Sequence, residues 1–235
     1  MPHADMPFPT LGRGHLHEVH NAMEDRAAAI LFALAQGHGG SGAIFAFRTP
    51  RRMHVPTIFS GDGLASCGVD PARLTIVDAK SEVDMLRAGL EAARCPGVAM
   101  IMFESDGRFA DYDLTASRRL VLAAEASGAI IFMLRGGAEQ RSSGAQTRWM
   151  IRSVPSAPLE ANAPGLPMIE AELLRCRNGP AGGRWRLSWD ADNGCFRDNV
   201  GAGEDEEKIV PGTMVPFSRL RTDARGDGDA ARQVA

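Results

Sequence analysis

Stretches of continuously apolar residues alternate with stretches of helical periodicity along most of the chain. The apolar stretches at residues 43–47, 98–103 and 129–134 are predicted strands, and the short segments at residues 16–19 and 74–77 are further predicted strands. The stretches with apolar positions at helical spacing are predicted helices, at residues 21–36, 81–94 and 114–127. Strands that are apolar throughout are typical of a parallel sheet whose two faces are both covered. The alternation therefore predicts an α/β fold with a mostly parallel, twisted sheet and helices on both faces.

Local signals indicate where these helices begin and end. Asn21 is the predicted N-cap of the first helix, and Ser81 is the predicted N-cap of the second, with Asp84 in its first turn. Gly128 follows the third helix and ends it. A shorter helical turn is predicted at residues 63–67.

The last third of the chain has a different pattern. Predicted strands lie at residues 148–153, 168–177 and 184–189. The glycine- and proline-containing turn at residues 178–183 joins the last two as a hairpin. We therefore expect a C-terminal antiparallel hairpin to extend the parallel sheet.

Both ends of the chain differ in composition from a folded domain. Residues 1–14 are rich in Pro, Gly and His without periodicity, and they are predicted to form a flexible arm. Residues 201–235 carry an acidic run and then Gly, Asp, Arg and Ala without pattern, which predicts a disordered acidic and glycine-rich tail. The single domain is therefore predicted to span residues 15–200.

Charge and cysteine content exclude several classes of protein. The formal net charge of −3 argues against global nucleic-acid binding. The 4 cysteines form no Cys-x-x-Cys pair, so we expect reduced thiols and no metal site. The most apolar run, residues 27–35, is too short to span a bilayer and follows Glu24 and Asp25, where a secretion signal would be basic. These features predict a cytoplasmic protein with no membrane contact.

Several short sequence segments, which we call phrases, resemble segments of known families and occur in the same order along the chain. Those that resemble the RecA core are Leu16-His17-Glu18-Val19, the stretch from Cys67 to Leu74, residues 96–105 ending in Phe103-Glu104-Ser105, and the hairpin of residues 168–189. Those that are similar to ImuA proteins of alphaproteobacteria are residues 114–120 and 123–125, then Thr147-Arg148-Trp149 and Pro155-Ser156. Together they span residues 15–190, and the chain is identified as resembling the ImuA family, whose members are RecA-like and are also called SulA-like.

The resemblance implies a RecA-like core and a role in DNA damage and repair, namely SOS-induced, error-prone translesion synthesis. ImuA proteins are encoded with ImuB, a polymerase-like protein without polymerase activity, and with a second copy of the replicative polymerase α subunit. ImuB is therefore the implied partner of this mutagenesis system. RecA and the second α subunit are further candidate partners.

The residues of a nucleotide site are missing where the RecA core has its phosphate loop. Such a loop needs glycines, a lysine and a Ser or Thr, but the segment from His20 to Arg26 contains no glycine and no lysine. It carries Glu24 and Asp25 instead, and their carboxylates would repel the negative charge of a phosphate. Two unit negative charges about 4 Å apart repel by roughly 4 kcal/mol at an effective dielectric of about 20. The segment after the strand at 43–47 also lacks an acid. We expect no bound cofactor, no catalytic residue and no enzyme activity.

Five residues are candidates for interaction with partners. Thr147, Arg148 and Trp149 form a phrase predicted to be exposed, because Trp and Arg are typical interface anchors; the alternative is that Trp149 begins a strand and packs inward. Arg135 and Arg141, together with Arg148, flank a loop. This loop lies where RecA relatives contact DNA. Phosphate contact there is the alternative to an ordinary solvated loop. His15, His17 and His20 are predicted not to form a metal site, because on a strand they do not share one face.

Three functions remain open from the sequence. The first is an adaptor that acts by protein–protein interaction with ImuB. The second is a residual ATP- or DNA-binding RecA-like protein. The third is a SulA-like inhibitor of cell division, which ranks last because division inhibitors proper are much shorter chains.

Overall fold

The computed structural model describes residues 8–37, 41–54, 56–156, 158–160, 163 and 165–198. The first seven residues of the predicted arm and the whole predicted tail lie outside the described residues. The flexibility of the predicted arm and the disorder of the predicted tail therefore stay predictions. In the described part of the chain, no helix is long and apolar enough to cross a membrane.

Strands and helices alternate through the described chain. The strands are β1 (Leu16–Asn21), β2 (Ala43–Arg48), β3 (Leu74–Asp78), β4 (Val98–Asp106), β5 (Ile130–Gly136), β6 (Thr147–Val154), β7 (Met168–Cys176), β8 (Arg184–Asp190) and β9 (Cys195–Asp198). The helices are α1 (Arg26–Gly37), α2 (Gly61–Ser66), α3 (Glu82–Ala93) and α4 (Leu114–Ser127). Every predicted strand and helix is present, with ends displaced by a few residues.

All the strands belong to one sheet, in the order β3-β2-β4-β5-β1-β6-β7-β8-β9. Each pairing from β3 across to β6 is parallel. Each pairing from β6 to β9 is antiparallel. The predicted architecture, a mostly parallel sheet extended by C-terminal antiparallel strands, is confirmed.

Strand β9 was not predicted. It has only 4 residues, and none of them is fully buried. The turn before it is organised by Asp190, whose Oδ1 accepts hydrogen bonds from the backbone N–H groups of Asp192 and Asn193 at 3.1 and 3.2 Å. So short and half-exposed a strand has no apolar alternation by which it could be recognised.

Two apolar cores lie on the two faces of the sheet. Helix α1 covers one face, where the buried rings of Phe32 and Trp185 lie 5.5 and 5.7 Å from that of Trp149. Helices α3 and α4 cover the other face, where Met85 and Phe103 are fully buried. Coverage on both sides explains the long apolar runs at the start of β4 and β5.

The predicted ends of α3 and α4 are confirmed. Ser81 caps α3, and its Oγ accepts a hydrogen bond from the Asp84 backbone N–H at 3.1 Å. Gly128 ends α4 with φ of 77°, a left-handed conformation that glycine adopts without strain.

The predicted N-cap Asn21 is wrong. Asn21 is the last residue of β1, where it pairs with Gly136 and Ile151 of the neighbouring strands. A 3-10 turn, Met23–Asp25, then leads into α1. The sheet therefore holds Asn21 in an extended conformation, and α1 begins at Arg26, four residues later than an N-cap at Asn21 would place it.

The chain before β1 contacts the domain from Phe8 onward. The Phe8 ring lies 5.6 Å from Trp149, and Leu11 is buried. The Gly14 backbone N–H donates to the Ala129 carbonyl at 3.1 Å. Residues 8–14, assigned to the arm by sequence, thus pack against the core of the domain.

Candidate functional site

The parallel strands end at one edge of the sheet, and this edge is the place for a functional site in an open α/β fold. Strands β1, β4 and β5 are neighbours here and end in Asn21, Asp106 and Gly136. The 3-10 turn after β1 brings Arg26, the first residue of α1, to the same edge.

An internal ion pair occupies the space between α1 and β4. Arg26 Nη2 donates hydrogen bonds to both carboxylate oxygens of Asp106, each at 2.6 Å. The two side chains are only 14% and 9% exposed. The His54 backbone N–H donates to Asp106 Oδ2 at 3.0 Å, so this carboxylate is bonded on two sides. A Cβ added to Gly136 would lie 2.7 Å from Asp106 Oδ1, which leaves no room for a side chain there.

Little free volume remains beside this pair. The cavity bounded by Asn21, Arg26, Glu104 and Gly136 measures about 10 Å³. A single water molecule needs roughly 10–15 Å³ by the same measure. A triphosphate would therefore have to displace the Arg26 side chain from Asp106.

Glu104 is buried next to this cavity. Its Oε2 accepts a hydrogen bond from Thr57 Oγ1 at 2.7 Å, while Oε1 has no partner among the described residues. Burial raises the pKa of Glu104 above its usual value, and the bond from Thr57 opposes that shift. Arg48 also bonds to the Thr57 carbonyl. The segment after β2 is thus bonded across the end of β4 through one oxygen of Glu104.

A second buried charge lies on the α4 side of the sheet. Glu18 is 2% exposed and accepts hydrogen bonds from Arg148 Nε at 2.6 Å and from Tyr112 Oη at 2.8 Å. Burial alone would raise the pKa of Glu18, but the bonds from Ser143, Arg148 and Tyr112 outweigh burial and lower this pKa. Burial and the adjacent Glu18 charge raise the pKa of Tyr112. The network is therefore a charged carboxylate with neutral and cationic donors around it.

The same arginine holds the connection between β5 and β6, residues 137–146, which we call the crossover segment. Arg148 donates to the carbonyl of Arg141. Arg175 donates to the Ala145 carbonyl at 2.7 Å, and Ser117 Oγ accepts from the Gly144 N–H at 2.9 Å. The crossover segment has no helix of its own, so side chains from the sheet and from α4 replace the missing backbone bonds.

Three arginines surround an open pocket where the crossover segment leaves β5. The pocket measures about 360 Å³ and is lined by Gly107, Arg108, Arg135, Gly137, Glu139 and Arg141. We call it the arginine pocket. Its charges include one carboxylate against three guanidinium groups, which favours an anionic ligand.

Arg135 is the buried member of the arginine pocket. It is 4% exposed and its guanidinium lies 5.6 Å from the Tyr112 ring centre and 5.9 Å from that of Phe109. Its Nη2 donates to the Gly107 carbonyl at 3.1 Å, and its Nε has no partner among the described residues. Burial lowers the pKa of Arg135, because the charged form loses hydration without gaining an ion pair.

Comparison with known proteins identifies the architecture. No protein-family model matches the chain, and no curated protein sequence matches it significantly. Among solved structures it is similar to the RadB recombinase, with a TM-score of 0.52 and 13% sequence identity over 80% of this chain and 91% of that one. The chain has the RecA-like fold. At this level of identity the likeness establishes the fold alone.

The RecA-like fold places the phrase Thr147-Arg148-Trp149 inside the domain. All three residues are at most 7% exposed, because β6 lies between β1 and β7 with both faces covered. Trp149 Nε1 donates to Thr147 Oγ1 at 2.8 Å. The expectation of an exposed phrase is therefore wrong, and the alternative, inward packing of Trp149, is what the structure has.

The remaining candidates, Arg135 and Arg141, are brought together in the arginine pocket. Arg108 joins them and was missed by the sequence analysis, although it lies two residues after the end of β4 and therefore near the same edge. Asp106 was missed as well. It lies two residues after Glu104 on the same strand and therefore on the same face, which is a signal that the sequence did contain.

The histidines of β1 are structural. His17 Nδ1 hydrogen-bonds with Thr147 Oγ1 at 2.8 Å, and His20 Nδ1 hydrogen-bonds with the Ala138 carbonyl at 3.3 Å. Burial lowers the pKa of each to about 4. No group of three or more potential metal ligands is found within the described ranges.

Proposed function

We propose that this chain is a non-catalytic, RecA-like accessory protein of error-prone translesion DNA synthesis in the SOS response. It acts by binding ImuB, and RecA and the second replicative polymerase α subunit are further partners. The RecA-like fold and the order of the ImuA-like phrases support this assignment.

The Arg26–Asp106 ion pair is the observation that carries the proposal. It lies where helix α1 meets the strand ends, the position of the phosphate loop in the RecA core. Breaking a buried pair by removing one partner costs about 3–5 kcal/mol, because the other charge is left uncompensated. Binding of a triphosphate would also bring its negative charge towards Asp106 and Asp25. A RecA-like domain with this arrangement works through its surfaces and not through hydrolysis.

Binding of ImuB tests the proposal directly. Isothermal titration calorimetry of purified ImuB into the full chain is expected to give a saturable complex of defined stoichiometry. A full chain that stays monodisperse and shows no binding of ImuB contradicts the proposed function.

Nucleotide binding tests the non-catalytic part separately. We expect no change in melting temperature when Mg²⁺-ATP is added, because a ligand stabilises only the state that binds it. Titration of a fluorescent ATP analogue that saturates in the micromolar range, or hydrolysis above the level of a protein-free control, contradicts this expectation.

The arginine pocket favours a second candidate function, contact with the DNA backbone. Arg108, Arg135 and Arg141 face one open pocket, and phosphate oxygens are good acceptors for guanidinium groups. Fluorescence anisotropy with labelled single-stranded DNA is expected to show binding that weakens as salt rises. An Arg108→Ala, Arg141→Ala double variant that binds DNA as tightly as the unchanged chain removes this candidate.

A further inference from the structure

Helices α3 and α4 leave a groove between them on the outer surface of the domain. It measures about 230 Å³ and is open to solvent along one side. We call it the α3–α4 groove. It is separate from the ion pair at the strand ends and from the arginine pocket.

The floor of the groove is apolar and has helical spacing. Val83, Leu86 and Leu90 of α3 recur at i, i+3 and i+7, so they form one stripe about 10 Å long. Ala116 and Leu120 line the side of α4. Two helices with such ridges leave a channel into which the side chains of a third helix pack.

The rims of the groove are cationic. Arg87 on α3 and Arg119 on α4 line it and are exposed. Neither arginine takes part in an ion pair within the described part of the chain. One carboxylate, Asp111, lies just before α4 at one end. A bound helix with acidic side chains on both flanks therefore forms one ion pair with Arg87 and one with Arg119. It avoids repulsion from Asp111 if its acidic side chains face away from that residue.

Two further apolar side chains of α4 are exposed but lie outside the lining of the groove. Leu122, three residues after Arg119, is 65% exposed. Leu114, at the start of the same helix, is 37% exposed. Within the groove itself, the apolar floor between Arg87 and Arg119 fits a partner that buries both kinds of group, and not a phosphate backbone that meets only the cations.

We propose that the α3–α4 groove is the docking surface for a short amphipathic helix of a protein partner. This helix carries large apolar residues at i, i+3 and i+7 and carboxylates on both flanks, which pair with Arg87 and Arg119. The inference deepens the proposed function by naming its surface, and it rests on that function only in taking ImuB as the source of the helix.

A designed peptide tests the groove without ImuB. The probe is a stapled helical peptide of about four turns with leucines on one face and glutamates on both flanks; the control peptide has lysine in place of each glutamate. Nitrogen-15 NMR of the full chain is expected to show saturable shifts confined to α3 and α4 with the acidic peptide. The lysine peptide is expected to bind at least about tenfold more weakly, a difference of about 1.4 kcal/mol.

Charge reversal tests the two arginines. Arg87→Glu and Arg119→Glu are each expected to weaken the acidic peptide at least about fivefold, or about 1 kcal/mol. Arg118→Glu is the matched control, because Arg118 is exposed on the same helix but does not line the groove; its effect is expected to stay below about twofold. Circular dichroism establishes that all three variants fold. Absence of saturable shifts in the groove, or equal binding by the Arg87, Arg118 and Arg119 variants, overturns the inference.

The same variants separate this inference from the proposed function. If the unchanged chain binds ImuB and the Arg87→Glu, Arg119→Glu double variant does not, the proposed function and the docking surface are both supported. If the double variant captures ImuB as well as the unchanged chain does, the function stands and the groove is wrong. If the unchanged chain ignores ImuB while the acidic peptide binds in the groove, the docking surface stands and the function is wrong.

Discussion

At the scale of the residue, Glu18 and Arg148 form a buried ion pair that joins two neighbouring strands of the sheet. Their side chains are 3% and 8% exposed, and they join β1 to β6 while Arg148 also holds the crossover segment. We expect Arg148→Ala to lower the free energy of unfolding by about 3–5 kcal/mol, because Glu18 is left as an unpaired buried charge. Urea denaturation measures this loss.

An exposed ion pair provides the control for that experiment. Arg184 bonds to Glu172 at 3.1 Å, but the arginine side chain is 56% exposed. Arg184→Ala should therefore cost less than about 1 kcal/mol. Equal losses for the two variants would show that the Glu18–Arg148 pair is not buried in solution.

The buried histidines make stability depend on pH. The pKa values of His17 and His20 are lowered to about 4 in the folded chain from a usual 6.5, chiefly by burial. Between these values the unfolded chain binds protons that the folded chain does not, so stability falls as pH is lowered from 6.5 towards 4. At pH 5 the loss is on the order of 1–2 kcal/mol for each histidine.

Histidine substitutions test this origin of the pH dependence. His20→Gln should remove about half of the drop in unfolding free energy between pH 7.5 and pH 5, measured by urea denaturation at each pH. His54→Gln, at an exposed position, should leave the drop unchanged. A drop of the same size in both variants points to other groups.

At the scale of the element, Gly89 allows α3 to approach the sheet. A Cβ at this position would lie 2.2 Å from two ring atoms of Phe103, which is fully buried. Gly89→Ala gains up to about 1 kcal/mol of helix propensity, but overpacking of a core costs typically 1–3 kcal/mol. We expect a net loss, seen as a lower melting temperature.

A second substitution distinguishes a clash from other causes. Replacing Phe103 with Leu in the Gly89→Ala background removes the atoms that clash, so the double variant should recover part of the loss. If Phe103→Leu instead costs the same in both backgrounds, the ring does not limit the approach of α3.

The elements of the parallel core were predictable because each carries its own signal. Residues 98–103 and 129–134 are apolar throughout and became β4 and β5, and the caps Ser81 and Gly128 were recognised from residue type alone. Asn21 carried the same kind of signal, but β1 continues to it through pairing on both sides. Tertiary pairing overrode the local preference there, and no local pattern contains that information.

At the scale of the whole molecule, Phe8 joins three parts of the fold. Its ring lies 6.1 Å from Phe32 of α1, 5.6 Å from Trp149 of β6 and 5.7 Å from Trp185 of β8. Phe8→Ala is expected to lower the free energy of unfolding by about 2 kcal/mol, because these ring contacts are lost together. Differential scanning calorimetry of the full chain measures the change.

Ile58 offers a matched apolar control. Its side chain is 92% exposed, so Ile58→Ala should change stability by less than about 0.5 kcal/mol. A comparable effect at both positions would mean that residues before β1 do not pack on the core in solution.

The candidate site was only half predictable. The lack of glycine and lysine between His20 and Arg26 is visible in the sequence, since it depends on residue types in one short segment. The pairing of Arg26 with Asp106 joins residues 80 positions apart, and only the order of strands brings them together. Trp149 was misjudged for the same reason, since its exposure depends on a strand neighbour and not on its own type.

The closure of α1 onto β4 by Arg26 and Asp106 affects how such a protein could be controlled. Under the proposed function, a domain in which α1 and β4 are already joined by this ion pair has no nucleotide-free and nucleotide-bound forms, and the cellular ATP level does not regulate it. Its binding to partners would then depend on protein concentration, rising when the cell makes more of the components and ending when they are diluted or degraded.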